Sequence, residues 1–192
     1  AAAATKPFGY MPFHPGPGLG GHCIPVDPHY LAWKARAHGR VARVVELAAE
    51  INAAMPARVV ERLEDALARR RGRSLAGARV LVLGVAYKRN VADIRESPAL
   101  SILERLEARG AATAFHDPFV PRLPALAAHP GLSGRAGAAW RDDLAAGYDA
   151  ALVVTDHDGV DYRALLRHAP LVVDTRNACR RAGAFGPNLV LA

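Results

Sequence analysis

The spacing of hydrophobic residues changes along the chain, from a helical period in the first part to short continuous runs after about residue 76. Between Val41 and Arg71, apolar residues recur every three or four positions, as expected for one stripe of a long helix. The stripe consists of Val44, Leu47, Ile51, Met55, Val59, Leu63 and Leu67. Pro56 interrupts it, so the segment predicts either one kinked helix or two helices. A shorter helix is predicted from Pro28 to about His38, because proline favours a helix start and Gly39 a helix end.

Beyond residue 76, short and continuously apolar runs alternate with helix-like segments. Strands are predicted at Arg79–Val85, Thr113–Phe115, Ala150–Val154, Leu171–Asp174 and Leu189–Leu191. Helices are predicted at Pro98–Arg109, near Arg122–His129, at Ala138–Ala146 and at Tyr162–His168. Apolar strands between helices indicate a parallel sheet covered on both faces, and right-handed crossovers make it a Rossmann-like α/β fold.

Composition narrows the class of protein. Of the 192 residues, 51% are hydrophobic, which suffices for a packed core and argues against disorder. Two cysteines do not make a disulfide framework, so we expect a cytoplasmic protein. No apolar run is long enough to span a membrane, so a membrane is not expected as a partner. The net charge of +7 suits a polyanionic ligand. The densest basic cluster, residues 69–73, has no interleaved aromatic residues, so nucleic acid is not expected as a partner.

The segment from Pro15 to Pro28 surrounds Cys23 with four glycines and four prolines. Glycine permits close approach of the backbone to a ligand, and proline stiffens the same loop. Cys23 is therefore either an activated nucleophile or a small buried apolar residue, which is common for free cysteine. Asp27 either orients a water or proton beside the thiol or caps the helix expected at Pro28, and both roles are compatible. Cys179 has no such frame and is expected to be structural.

Two other interpretations of this loop are weaker. Adjacent side chains of an extended segment point to opposite faces, so a Cys–His dyad with His22 is disfavoured, and His22 is expected to bond to the backbone. The loop also offers several metal-ligating side chains. However, their spacing matches no closed zinc pattern and the intervening prolines limit their convergence, so no metal is expected. These side chains are His14, His22, Cys23, Asp27 and His29.

Lys88 and Arg176 both follow the ends of predicted strands. They should share the edge of the sheet where ligands of open α/β folds bind. A diphosphate needs cations, and the forked guanidinium suits pairs of oxygens. Solvation at the surface is the alternative for both side chains, but their position at strand ends favours ligand binding.

Three segments resemble the UDP-glucose/GDP-mannose dehydrogenase family. They are PGPGLGGHCIPVDP with TKPFG upstream, LGVAYK with the following DIRESP, and DTRN at residues 174–177. They occur in the family's order and cover nearly the whole chain, and the GGHCIPVDP form is most similar to the UDP-N-acetylglucosamine 6-dehydrogenase branch. The resemblance implies NAD-dependent oxidation of a UDP-N-acetylhexosamine to the uronic acid.

The resemblance also implies a role for each matching residue. Cys23 is the nucleophile that holds the sugar as a thiohemiacetal and then as a thioester, with two NAD consumed, and Asp27 assists hydrolysis and proton transfer. Val26 and Arg95 contact NAD, and Lys6 is matched to a basic residue that reaches the neighbouring subunit's sugar. Contacts with the UDP-sugar are implied for Pro12, Phe13, His14, Pro15, Gly16, Gly20, Lys88 and Arg176.

Domain organisation and assembly follow from the same comparison. We expect residues 1–75 to hold the active-site cysteine loop with a remnant of the family's central helical domain, and 76–192 to form the UDP-sugar-binding domain. The helix at 41–71 is expected to form a homodimer interface, since its long apolar stripe needs a partner surface. No G-x-G-x-x-G follows a predicted strand, so the family's NAD-binding domain is missing from this sequence. We therefore expect the C-terminal part of a larger enzyme, inactive alone; the alternative is a truncated module that binds UDP-sugar without turnover.

Overall fold

The computed structural model describes residues 5–6, 8–10 and 13–192. In chain order its helices and strands are α1 (Cys23–Ala37), α2 (Arg43–Arg71), β1 (Arg79–Leu83), α3 (Pro98–Ala108), β2 (Ala112–His116), β3 (Ala150–Val153), α4 (Tyr162–His168), β4 (Val172–Asp174), α5 (Ala178–Arg181) and β5 (Leu189–Leu191). Short 3₁₀ turns occur at Pro130–Leu132 and Leu144–Gly147. Within the described ranges, no helix has both the length and the apolar character needed to cross a membrane.

The five strands form one parallel sheet in the order β2-β1-β3-β4-β5, so the Rossmann-like α/β fold is confirmed. Leu83 is paired with both His116 and Val153, and Val153 is paired with Asp174. The carboxyl ends of β1 to β4 therefore lie level along one side of the sheet. We call this side the carboxyl edge.

Both faces of the sheet are buried, which explains the continuously apolar strands. Val80 and Val82 of β1 enter a core formed with α2 and α3, whereas Leu81 and Leu83 enter a second core formed with α4 and α5. The alternation follows from the two-residue period of a strand. Since β1 continues to α3 and its neighbour β3 continues to α4, the chain leaves these two strands towards opposite faces. Ligands of open parallel sheets bind in the crevice at such a position.

α2 is one continuous helix that contains the buried Pro56, so the alternative of two helices is wrong. The predicted stripe divides near this proline. Leu63 and Leu67 are fully buried against the sheet, whereas Val44 and Leu47 are 80% and 55% exposed. Half of the stripe is therefore ordinary intrachain core, and only the half before Pro56 remains on the surface.

α1 begins at Cys23, five residues before the predicted start at Pro28, and it ends as predicted before Gly39, which has φ +67°. Pro25 lies in the first turn, where backbone N–H groups have no intrahelical partner, so it removes no hydrogen bond. Pro28 is accommodated inside the helix. The part of the proline-rich segment from Cys23 to Pro28 thus looks like a loop in sequence but forms the first turns of a helix.

The connection between β2 and β3 contains neither of the two predicted helices. Pro121, Pro124 and Pro130 lie in or beside the segment 122–129, and each removes a helix N–H donor. Within 138–146, only a 3₁₀ turn forms. The Ala138 N–H instead donates to the Phe115 carbonyl at 2.7 Å, so the chain here covers the edge of β2. The short helix α5 was not predicted.

Candidate active site

The carboxyl edge collects polar side chains from four strands. Residues 84–90, with Lys88, follow β1, and Asp117 follows β2. Asp156 follows β3, and Arg176 follows β4. Lys88 is exposed and forms no hydrogen bond or ion pair with any residue that the structure describes. Lys88 and Arg176 therefore do lie on the same edge of the sheet, as the sequence predicted.

Residues 13–22, which we call the cysteine loop, pack on this edge through their glycines. The Gly21 N–H donates to the Arg95 carbonyl at 2.8 Å. A Cβ atom on Gly20 would lie 2.6 Å from Cβ of Tyr87, and one on Gly16 would overlap Nη1 of Arg176. Gly20 therefore needs to be glycine, because its neighbours are Cβ of Tyr87 and the backbone of Glu96, whereas Gly16 lies against the movable end of the Arg176 side chain.

Cys23 is the first residue of α1 and is exposed. The interpretation as a buried apolar residue is therefore wrong. Asp27 is also exposed, and the spacing of four residues puts it on the same helix face as Cys23. Asp27 lies within α1, and the residue at the N-cap position is His22, so the predicted capping role for Asp27 is wrong. The His22 side chain makes no capping hydrogen bond either.

Arg95 lies beside the cysteine loop, where its carbonyl accepts the Gly21 N–H. Its guanidinium donates to both carboxylate oxygens of Asp93, with Nε–Oδ1 and Nη2–Oδ2 distances of 3.1 and 2.6 Å. These hydrogen bonds, with the charges of Asp93, Tyr87 and Cys23, raise the pKa of Arg95 above its usual value. Val26, three residues after Cys23 on α1, is half-buried beside the same face.

Arg176 is held by Asp156, a carboxylate that is almost fully buried. Arg176 Nε donates to Asp156 Oδ1 at 3.1 Å, and Arg181 donates to the other oxygen. Burial of Asp156 opposes its ionisation, but the hydrogen bonds and charges of the two arginines outweigh it and keep the pKa of Asp156 below its usual value. The backbone N–H of Arg176 donates to Asp174 Oδ1 at 2.9 Å. The guanidinium is thus oriented along the carboxyl edge.

The remaining predicted substrate residues lie at the start of the cysteine loop. Phe13, His14 and Pro15 are exposed. Pro12 lies outside the described residues. Lys6 is exposed, in the short described stretch before the loop.

Four residues that organise the carboxyl edge were not predicted from the sequence: Tyr87, Asp117, Asp156 and His157. Tyr87 supports Gly20 and Gly21 of the cysteine loop. Asp117 and Asp156 closely follow the ends of strands. The same position after a strand end identified Lys88 and Arg176 in the sequence. His157 had no signal of its own, since its partner Asp117 is 40 positions away.

An apolar cleft of about 620 Å³ lies between α1, α2 and α3. Ile24, Pro25 and Pro28 of α1 line it, whereas Cys23 and Asp27 lie on the opposite face of this helix. Cys23 and Asp27 therefore face away from the cleft, although Gly18 and Leu19 of the cysteine loop line it.

These features define a class: an α/β protein with a nucleotide-type parallel sheet, cations at its carboxyl edge and an exposed thiol at a helix start. The sequence model of the UDP-glucose/GDP-mannose dehydrogenase family, UDP binding domain, matches residues 81–181, and that of the family's central domain matches residues 1–54. The chain belongs to the UDP-glucose/GDP-mannose dehydrogenase family.

Individual relatives agree with this assignment. The chain is 39% identical over 119 residues to a UDP-N-acetyl-D-glucosamine 6-dehydrogenase of Pseudomonas aeruginosa, covering 62% of this chain and 28% of that protein. It is 31% identical over 173 residues to a UDP-N-acetyl-D-mannosamine dehydrogenase of Salmonella typhi, covering 86% and 39%. The solved structure of a UDP-D-ManNAc dehydrogenase from Pyrococcus horikoshii superposes with a TM-score of 0.78 at 27% identity, over 99% of this chain and 41% of that one. This chain spans well under half the length of each relative.

Proposed function

We propose that this chain carries the thiol and the UDP-sugar site of a nucleotide-sugar 6-dehydrogenase, which oxidises a UDP-N-acetylhexosamine to the uronic acid with two NAD. The main support is the packing of the cysteine loop on the carboxyl edge. Gly16 lies against Arg176, and Gly20 lies against Tyr87, the neighbour of Lys88. A diphosphate bound by the two cations would therefore lie beside the loop that leads to the thiol. Relatives named as UDP-N-acetylhexosamine dehydrogenases support the same substrate class.

In this proposal Lys88 and Arg176 bind the diphosphate. Lys88 has no other partner among the described residues, and Arg176 uses Nε for Asp156 and retains its other nitrogens for phosphate oxygens. The sugar and its linkage would be contacted by Pro12 and by the cysteine loop residues Phe13, His14, Pro15, Gly16 and Gly20.

Loss of a proton and a hydride from the C6 alcohol gives the C6 aldehyde. The sulfur of Cys23 adds to this aldehyde and forms a thiohemiacetal, whose loss of a second hydride and of its hydroxyl proton leaves a thioester. Water attacks the thioester carbon, the C–S bond breaks, and the acid and the free thiol are released. Asp27 lies on the same helix face as Cys23 and is free of hydrogen bonds to described residues, so it is available to take the proton of this water.

NAD accepts the hydrides when it is bound. Val26 and Arg95 fit a contact with it, because both lie beside Cys23 and Arg95 is exposed and cationic. The sequence has no glycine-rich strand-to-helix turn for the pyrophosphate, so these residues would supply only part of the cofactor site.

We further propose a homodimer through α2. Before Pro56, the stripe leaves Val44, Leu47 and Ile51 exposed beside the apolar cleft. Contiguous apolar surface of this kind marks interfaces, and two-fold pairing is the commonest arrangement. Leu47→Glu should shift the chain to monomer in light scattering, whereas Ala68→Glu, an exposed position after Pro56, should not. Wild-type protein that is already monomeric at high micromolar concentration would exclude the dimer.

Calorimetric titration with UDP tests the binding site. Loss of a charge-assisted hydrogen bond to phosphate costs about 1.5–3 kcal/mol, so Lys88→Ala and Arg176→Ala should each weaken UDP binding about tenfold or more. Lys34→Ala and Arg58→Ala remove the same charge at exposed positions away from the edge and should leave the affinity nearly unchanged. Equal affinities in all four variants would place the nucleotide elsewhere.

A further inference from the structure

The loop that carries Lys88 is attached to its surroundings at nearly every residue except Lys88 itself. Gly84 has φ +83°, and a Cβ there would lie 2.5 Å from Cβ of Thr155. Thr155 Oγ1 donates to the Ala86 carbonyl at 2.6 Å, and the Tyr87 N–H donates to the Asp93 carbonyl at 2.9 Å. Residues 84–90, which we call the Lys88 loop, therefore have little freedom to move as a unit.

Asp117 provides the attachment at the start of the Lys88 loop. Its Oδ2 accepts the N–H groups of Val85 and Ala86 at 2.7 and 2.9 Å, while Oδ1 accepts those of Phe119 and Val120. Burial opposes ionisation of Asp117. The hydrogen bonds from His157 and from the backbone outweigh burial and hold the pKa of Asp117 below its usual value. An ionised carboxylate with these donors fixes the loop where it leaves β1.

His157 provides the attachment at the end of the Lys88 loop. Its side chain is fully buried, with Nε2 3.0 Å from Asp117 Oδ2. Its Nδ1 accepts the backbone N–H of Asn90 at 3.0 Å. Because Nδ1 is an acceptor, the ring proton is on Nε2 and is donated to Asp117. The Asn90 side chain also bonds to Asp158, the next residue after His157.

We propose that Asp117 and His157 form a clasp that positions Lys88 for the diphosphate of the ligand. The clasp joins both ends of the Lys88 loop to the segments that follow β2 and β3. Lys88 is the only cation of this loop without a partner among the described residues. This inference rests on the proposed function of Lys88 as a phosphate ligand. Asp117 and His157 are positioning residues, since both are buried and neither reaches solvent.

The pair also contributes to stability, because removing either member leaves a buried polar group of the other without its hydrogen bond. A change in stability alone therefore does not reveal whether the pair positions Lys88. A loop held in its binding conformation, by contrast, pays less entropy when the ligand binds. The clasp is therefore expected to affect UDP affinity in addition to stability, and to affect this affinity only when Lys88 is present.

A double-mutant cycle with UDP as the probe tests this, using His157→Phe and Lys88→Ala. His157→Phe removes both hydrogen bonds of the ring and should weaken UDP binding about tenfold, but by no more than Lys88→Ala does. In the Lys88→Ala background, His157→Phe should cause no further loss. Val190→Ala, in the distant strand β5, is the matched control: it removes buried volume and should leave UDP affinity unchanged.

Each outcome bears on the proposal. Equal losses of affinity with and without Lys88 would overturn the clasp and leave the proposed function intact. If the wild-type chain does not bind UDP, the proposed function fails and the clasp fails with it.

If His157→Phe does not fold, two other measurements decide whether the clasp exists. His157→Gln, which can still donate to Asp117, should lose less affinity than Lys88→Ala, and ¹⁵N NMR of the wild-type His157 ring should show the proton on Nε2. A proton on Nδ1 would overturn the proposal.

Discussion

Gly20 is the position where a single added methyl group should release the cysteine loop from the carboxyl edge. The Cβ of Gly20→Ala would lie 2.6 Å from Cβ of Tyr87 and 2.8 Å from the Glu96 carbonyl oxygen. Neither atom belongs to the flexible end of a side chain, so rotation of a side chain cannot relieve the overlap. The cysteine loop itself must move, which breaks the Gly21 N–H bond to the Arg95 carbonyl.

The size of the effect follows from these contacts. Overpacking of this kind costs about 1–3 kcal/mol, and the lost hydrogen bond contributes about 1 kcal/mol within that range. Because about 1.4 kcal/mol corresponds to a tenfold change, hydrogen exchange at the Gly21 amide should accelerate about tenfold to a hundredfold. The urea midpoint of global unfolding should change little, since Gly20 belongs to neither buried core.

Gly131→Ala is the control, because an added Cβ at Gly131 meets nothing within 4 Å. It should leave exchange at Gly21 unchanged. If Gly20→Ala also leaves the Gly21 amide fully protected, then the cysteine loop does not depend on contact with Tyr87 and Glu96, and the reasoning is refuted.

The other predictions concern the two thiols and the buried carboxylates. Burial and the charge of Asp174 raise the pKa of Cys179, so a disulfide reagent should modify only Cys23 in the folded chain; a fast phase that survives Cys23→Ser would contradict this. Hydrogen bonds lower the pKa of Asp117 and of Asp156 in the folded chain. The stability that these two carboxylates contribute is therefore complete above pH 3.8, the ordinary pKa of the group, and is lost as pH falls through the lower pKa of the folded state. The urea midpoint should therefore decrease as pH is lowered from about 5 to about 3, and it should decrease less steeply in the variants Asp117→Asn and Asp156→Asn. Equal slopes in all three proteins would count against this prediction.

The strands were predictable because a parallel sheet buried on both faces requires uninterrupted apolar runs, and such runs are visible in sequence. Lys88 and Arg176 were predictable as neighbours for a related reason. Parallel strands bring their carboxyl ends to one edge, so residues that follow different strands meet there. The frame of glycines and prolines set Cys23 apart from Cys179 in the sequence, and in the structure Cys23 is exposed whereas Cys179 is buried.

The start of α1 was not predictable from its prolines, since proline is tolerated in a first turn as well as in a loop. The prediction of two helices between β2 and β3 was wrong. Alanine and leucine in these segments favoured a helix, but the neighbouring prolines and the pairing with β2 prevented one from forming. Local preference could not reveal which of these effects would dominate.

The sequence by itself determined that α2 has an apolar stripe, because helical periodicity is a local property. Only the tertiary structure decided that Leu63 is covered by the sheet while Leu47 is exposed, since the period is the same on both sides of Pro56. The same holds at the carboxyl edge. Side-chain chemistry marked Lys88, but the pairing of Asp117 with His157 depends on two strand ends that fold together from positions 40 residues apart.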